Sequence, residues 1–324
     1  METTLLIGNG LNLTLIDDTW KNVVKKIAED RNIHSIASMS LPLEFERVMN
    51  IHLKNNPDLQ NKSGAYSTAK SRMANDLRTK RLPSDSIHYL LRDIPVDNIV
   101  TTNYDYLLEQ VFDSDFVPEE STNMYLDEAR SEINGVKFYH AHGEANNTKS
   151  ICLGYEHYAK LLSRIRSNID IKEGKNRVIL RDLKFKVQRD SWYYKFFSDN
   201  IYIVGLGLGE SEIDLWSLLT KRASLYYRDC EGAQSIIRNR IIYFDVINDI
   251  DGNEEYQTSK HELLKGARVE VRVKRLSDLI EPSELGKLSK DDKEEKKKEM
   301  YKKAYTLFLN TIREEIEKRV QTNI

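Results

Sequence analysis

Cysteine is scarce in this 324-residue chain, which has only Cys152 and Cys230. Two thiols can build neither a disulfide framework nor a zinc site of four thiolates. Long hydrophobic runs are missing too. Stretches such as IYIVGLGLG at 201–209 fall far short of the roughly 20 apolar residues that span a bilayer, so no transmembrane helix and no membrane partner are expected. Nor is there an excess of charge of one sign: Lys+Arg 49 against Asp+Glu 51 leaves a net charge of -2, which favours no direct binding to nucleic acid. The N-terminus METTLLIGNG lacks a basic n-region, so no cleaved signal peptide is expected and the cytoplasm is the expected compartment.

What is present points to an α/β fold. Charged residues at 31 % and a mean hydropathy of -0.57 describe a soluble chain, and its length allows about two domains or one core with a large insertion. Short apolar or β-branched runs at 4–7, 98–101, 136–140, 201–205, 241–246 and 267–273 have the length of buried strands. Helical spacing lies between them, as in Trp20, Val23, Val24 and Ile27. This alternation predicts a Rossmann-like, mostly parallel sheet with helices on both faces. From 17 to 95 no strand is convincing, far more chain than a crossover needs, and the interval reads as a helical insertion. A second helix-rich segment runs from 154 to 195. After the charge-dense stretch 285–299, Tyr301, Tyr305, Phe308, Ile312, Ile316 and Val320 form one stripe of a C-terminal amphipathic helix, suited to its own core or to a second subunit.

Four strand ends carry residues suited to chemistry. LLIGNGLNL at 5–13 empties a strand into Gly8, Asn9 and Gly10, which either make a tight turn or bring backbone amides against a phosphate. IVTTNYDYLLE at 99–109 offers Thr102, Asn103 and Asp105, as helix caps or as ligand contacts. KFYHAHGEAN at 137–146 carries His140 and His142, which strand alternation puts on one face as two ligands of a metal site would be, but no third ligand is convincing. IYIVGLGLGESEIDLW at 201–216 brings Gly205, Gly207 and Gly209 to a helix start, where Ser211 and Asp214 have capping-box spacing.

In this order the motifs resemble the sirtuin-like NAD-consuming family, in particular its bacterial anti-phage (abortive-infection) branch, whose domain hydrolyses NAD+. The resemblance covers about 1–16 and 96–280. It implies a core over 1–16 and 96–280, an insertion over 17–95, and a linker and tail helix over 281–324. By the same resemblance Asn103 and His142 are catalytic, while Gly8, Asn9, Gly10, Thr102, Asp105, Gly205, Gly207 and Asn248 bind NAD+, which is consumed as substrate. Sirtuin deacylases hold a structural zinc on four cysteines. With two cysteines this chain is expected to hold no zinc or other metal, which argues against deacylation. The resemblance also implies gated activity, through homo-oligomerisation or a partner such as a HerA-type ring ATPase. The rival readings are an ADP-ribosyltransferase and a scaffold that senses NAD+ or ADP-ribose without turnover.

Overall fold

A computed structural model describes residues 1–15, 20–36, 39–57, 62–169, 190–228, 232–250, 254–280 and 290–322. Its centre is a seven-stranded sheet of β1 (Thr3–Ile7), β2 (Asn98–Thr101), β3 (Ser131–Ile133), β4 (Val136–His140), β5 (Asn200–Val204), β6 (Ile241–Ile247) and β7 (Val269–Arg275). The order is β3-β4-β2-β1-β5-β6-β7, parallel throughout except for the antiparallel β3–β4 pair. All six expected strands form, two with the expected ends and four with ends moved by one or two residues. β3 was not foreseen, because SEI has no apolar signal. Its mark is the Asn134-Gly135 dipeptide, with φ of 53° and 82°, which turns the chain into β4 as a tight hairpin.

The chain builds outward from β1 through β2 to β4, then returns to lay β5 on the other side of β1. That reversal is the switch point where doubly wound sheets bind ligands, beyond the carboxyl ends of the strands. Alternation divides the side chains cleanly. Leu6, Ile203, Ile241 and Tyr243 point to one core, which is closed by α5 (Tyr155–Ile169), α6 (Lys195–Ser198), α7 (Ile213–Tyr227) and α9 (Glu254–Gly266). The short helix α8 (Ala233–Ile236) borders the same side through Ala233. Leu5, Ile7, Tyr202, Val204, Ile242 and Phe244 point to the other core, beneath α4 (Leu107–Phe112), a 3-10 turn at Ile87–Asp93 and the C-terminal helix α10 (Lys290–Thr322).

Between β1 and β2 lie α1 (Trp20–Glu29), α2 (Leu41–Asn55) and α3 (Lys62–Arg78), which enclose Val24, Ile27, Phe45, Val48, Met49 and Ala69. Their core is continuous with Tyr104, Tyr106, Ile151 and Leu153, so the insertion is seated on the loops after β2 and β4. Of the second helix-rich segment, 170–189 lies outside the described residues. Of the charge-dense stretch, 285–289 lies outside the described residues and the remainder begins α10, with 292–299 exposed or half-buried. The apolar stripe of that helix is covered by its own sheet: Tyr305, Phe308, Ile312 and Ile316 are buried there, joined by Leu309, while Val320 is exposed and takes no part. The stripe is therefore no free surface for a second subunit. Phe308 meets Phe244 edge to face at 5.0 Å between ring centroids. Phe308→Ala should lower the unfolding free energy in urea by about 3–5 kcal/mol, the usual cost of emptying a buried aromatic site; a loss under about 1 kcal/mol would mean that α10 is not anchored there.

Candidate functional site

The loops after β1 and β5 emerge side by side at the switch point. Gly8 N–H donates to the Val204 carbonyl at 3.2 Å and Gly10 N–H to the Gly205 carbonyl at 2.6 Å, so these two amides bind the loops together instead of facing a ligand. A Cβ on Gly8 or Gly10 would stand 2.6 Å from the opposing backbone. Gly205 adopts φ of 65°, which favours glycine, and Leu208 three residues on is held at φ of 47°, a strained conformation for leucine. Gly207 has nothing near its would-be Cβ and stands at the open side. Asn9 accepts a bond from Asn12 Nδ2 at 2.9 Å, and the same amide donates to Asp105 Oδ2 at 3.2 Å. Asn12 Oδ1 must then accept from His88 Nε2, at 3.0 Å, a neutral imidazole whose pKa burial pushes down to about 4.

Behind this loop, Asp105 also accepts from Leu107 N–H at 3.3 Å at the start of α4 and lies 3.9 Å from Lys80 Nζ; burial raises its pKa. Asn103 is buried. Its N–H donates to Thr101 Oγ1 at 3.0 Å, and its buried side-chain Oδ1 has no partner among the described residues. The two histidines of the β4 end part company, contrary to the expectation of one shared face. His140 points under α4, with Nδ1 donating to the Asn103 carbonyl at 3.0 Å and Nε2 to Glu109 Oε1 at 2.8 Å. Burial works against its charge, but Glu109 and Glu144 outweigh burial and lift its pKa to about 9. After β4 the chain leaves strand geometry, and Gly143, at φ of 99°, completes a turn that swings His142 to the opposite core.

There His142 Nε2 donates to Asp214 Oδ2 at 2.9 Å, and Tyr158 packs edge-on at 5.1 Å between centroids. Asp214 is thus not the partner of Ser211 in a capping box. The residue before α7 is Glu212, which accepts from Gly209 N–H at 2.8 Å, while Asp214 is fully buried against the imidazole. Burial disfavours charge on His142, yet the charge and hydrogen bond of Asp214 raise its pKa above the ordinary value. Burial pushes Glu212 up to about 7, with Asp214 adding to this and His142 opposing it.

These groups surround a cavity of about 850 Å³ at the carboxyl end of the sheet, the size of a small-molecule site. Seven of the anticipated residues line it: Asn9, Gly10, Thr102, His142, Gly205, Gly207 and Asn248. Asn103, Asp105 and Gly8 are not among its lining residues. Sequence reasoning missed Glu212 and a group at the β6 end, where Asp245 receives Lys260 Nζ at 2.9 Å and His261 Nε2 at 2.7 Å. Lys260 also reaches the Gly207 carbonyl at 3.3 Å, tying the late glycine turn to α9. It also missed that the insertion, through Val24, Leu41 and Pro42, and α10, through Glu294, Tyr301 and Tyr305, complete the wall. No sequence spacing links these elements; only the fold brings them together.

Residues 97–214 match the model of the SIR2-like domain family. The match runs from β2 to the first turn of α7, taking in Asn103, His142 and Asp214. Over that segment the chain is similar to SIR2-like domains, a family that uses NAD+. None of the curated proteins matches the chain.

The buried His140–Glu109 pair makes a testable link to pH. The folded pKa of about 9 lies above the roughly 6.5 of an unfolded histidine, so the pair stabilises fully below pH 6.5 and its contribution, on the order of 3 kcal/mol, is lost as pH rises towards 9. Urea denaturation across that window should show the decline, and Glu109→Gln should remove most of it. An unchanged slope in Glu109→Gln would show that Glu109 does not hold His140 charged.

Proposed function

We propose that this protein is an NAD+ glycohydrolase, which cleaves the bond between nicotinamide and ribose to give nicotinamide and ADP-ribose. The observation that carries this reading is His142 at the wall of the switch-point cavity, held from behind by buried Asp214, together with Asn103, whose buried Oδ1 has no partner among the described residues. The cavity suits a dinucleotide in size, and it lies where doubly wound sheets receive one. With Nε2–H committed to Asp214, Nδ1 of neutral His142 is the atom left to accept a proton from water or a ribose hydroxyl. The leaving group departs as neutral nicotinamide, so the developing oxocarbenium ion is what needs stabilising, and the carboxylate of Asp214 supplies negative charge beside His142, to which Glu212 adds as it ionises above about pH 7. The Asn103 carboxamide would orient the attacking water or a ribose hydroxyl, and Asp105 would act through the loop that it shares with Asn12.

In a cell such activity depletes NAD+, which suits an effector of anti-phage defence gated by self-assembly or by a partner such as a HerA-type ring ATPase. With the stripe of α10 covered, the outward face of the helical insertion is the surface left for that contact. The scaffold reading predicts NAD+ binding without nicotinamide release.

Purified protein incubated with NAD+, with and without the product of a neighbouring gene, should release nicotinamide, and Asn103→Ala should reduce the rate at least a hundredfold while leaving the melting temperature within a few degrees. Undiminished NAD+ loss in that variant would remove Asn103 from catalysis. Because the base must be neutral, the rate should rise with pH through a limb above 6.5, the ordinary histidine value. Asp214→Asn should move the limb to lower pH, and a limb that stays in place would sink the assignment of His142.

A further inference from the structure

We propose that the C-terminal helix α10 supplies the nucleobase half of the site, with Tyr301 as the ring on which the base stacks. The proposal rests on the dinucleotide reading above. A dinucleotide bound across a switch point places one nucleoside on each side of it. His142 lies just beyond β4, on one side of the switch point, so the far nucleoside belongs on the β5–β6 side. The wall there is made by Phe244, Asp245, Val246 and Asn248 of the β6 end together with Tyr301 and Tyr305 of α10. Its charges are paired internally: Asp245 holds Lys260 and His261, and Glu294 holds Lys297 at 2.9 Å. What that end offers a ligand is therefore mainly aromatic and apolar surface, which suits a flat base better than a phosphate.

Two further observations tie α10 to the site. Tyr301 and Tyr305 lie nearly parallel, 20° apart with centroids at 6.2 Å; Tyr305 is buried as the back wall and Tyr301 is half-buried at the cavity. The Tyr305 hydroxyl also occupies the space that a side chain on Gly10 would need, so the helix is fitted to the first glycine loop. The segment that matches the SIR2-like domain ends at residue 214, and this half of the site lies outside it.

Two measurements on the full chain test this, and neither depends on turnover. The Kd for NAD+ should stay within about twofold in Tyr301→Phe and rise in Tyr301→Leu by roughly 5- to 150-fold, the range for losing one stacking ring. In the wild-type protein, 8-azido-NAD+ under light should label residues 294–308, in competition with unlabelled NAD+. Leucine binding as tightly as tyrosine, or competed label confined to other walls of the cavity, would overturn the role of α10 and leave the NAD+ reading standing. No competed label and no measurable Kd in the wild type would sink both.

Discussion

The site depends on one constraint: β1 and β5 are hydrogen-bonded neighbours from Thr3–Asn200 to Ile7–Val204, yet about 190 residues separate them in the chain. Parallel neighbours end level, so the segments that follow must leave the sheet within contact of each other. Their backbones approach so closely that Gly8, Gly10 and Gly205 have no room for a Cβ. The glycines that resemble a phosphate loop are thus needed first for the chain to pack against itself. The opening beside them, next to Gly207, exists because the two loops then turn apart, one towards Asn12 and the other towards α7.

Much of this was legible before any coordinates, because the sheet has a simple physical signature. Central strands buried on both faces must be short and apolar, and LLI, NIVT and IYIV have no other economical use. The helices α1–α3 were legible for the opposite reason, as a long interval without that signature. β3 was not, since a three-residue edge strand buries little and shows only in its Asn-Gly turn. The stripe of α10 was read correctly as a face that must be covered. What covers it could not be read, because periodicity describes one element and its partner lies in the sheet.

The site was legible as a set of strand ends but not as a set of pairs. Asp214 shows the difference most plainly. Its spacing from Ser211 satisfies a helix-capping pattern, while its actual partner, His142, lies 72 residues away and reaches it through a turn that takes the histidine off the line of its strand. Local pattern rules weigh contacts within a turn or two, and they assign a residue to a cap when nothing nearby competes. Lys260 and Glu212 were missed for the same reason: each is unremarkable among neighbours in sequence and becomes distinctive only when the fold sets it beside opposite or like charge.

The two histidines of the HAHG segment show how hydrogen-bond accounting separates structure from chemistry. An imidazole has two nitrogens, and a ring that is to exchange a proton must keep one of them uncommitted. In His140 both are engaged, one on the Asn103 carbonyl and one on Glu109, and Glu109 and Glu144 hold the ring charged at neutral pH. Such a ring cannot accept a proton, but it can fix the backbone from which Asn103 projects. In His142 only Nε2 is engaged by the described residues, and the ring lies at the cavity wall. The carboxylate behind it raises its basicity without occupying the second nitrogen. Of two similar side chains two positions apart, the fold makes one a support and leaves the other able to act, because the turn at Gly143 sends them to different partners.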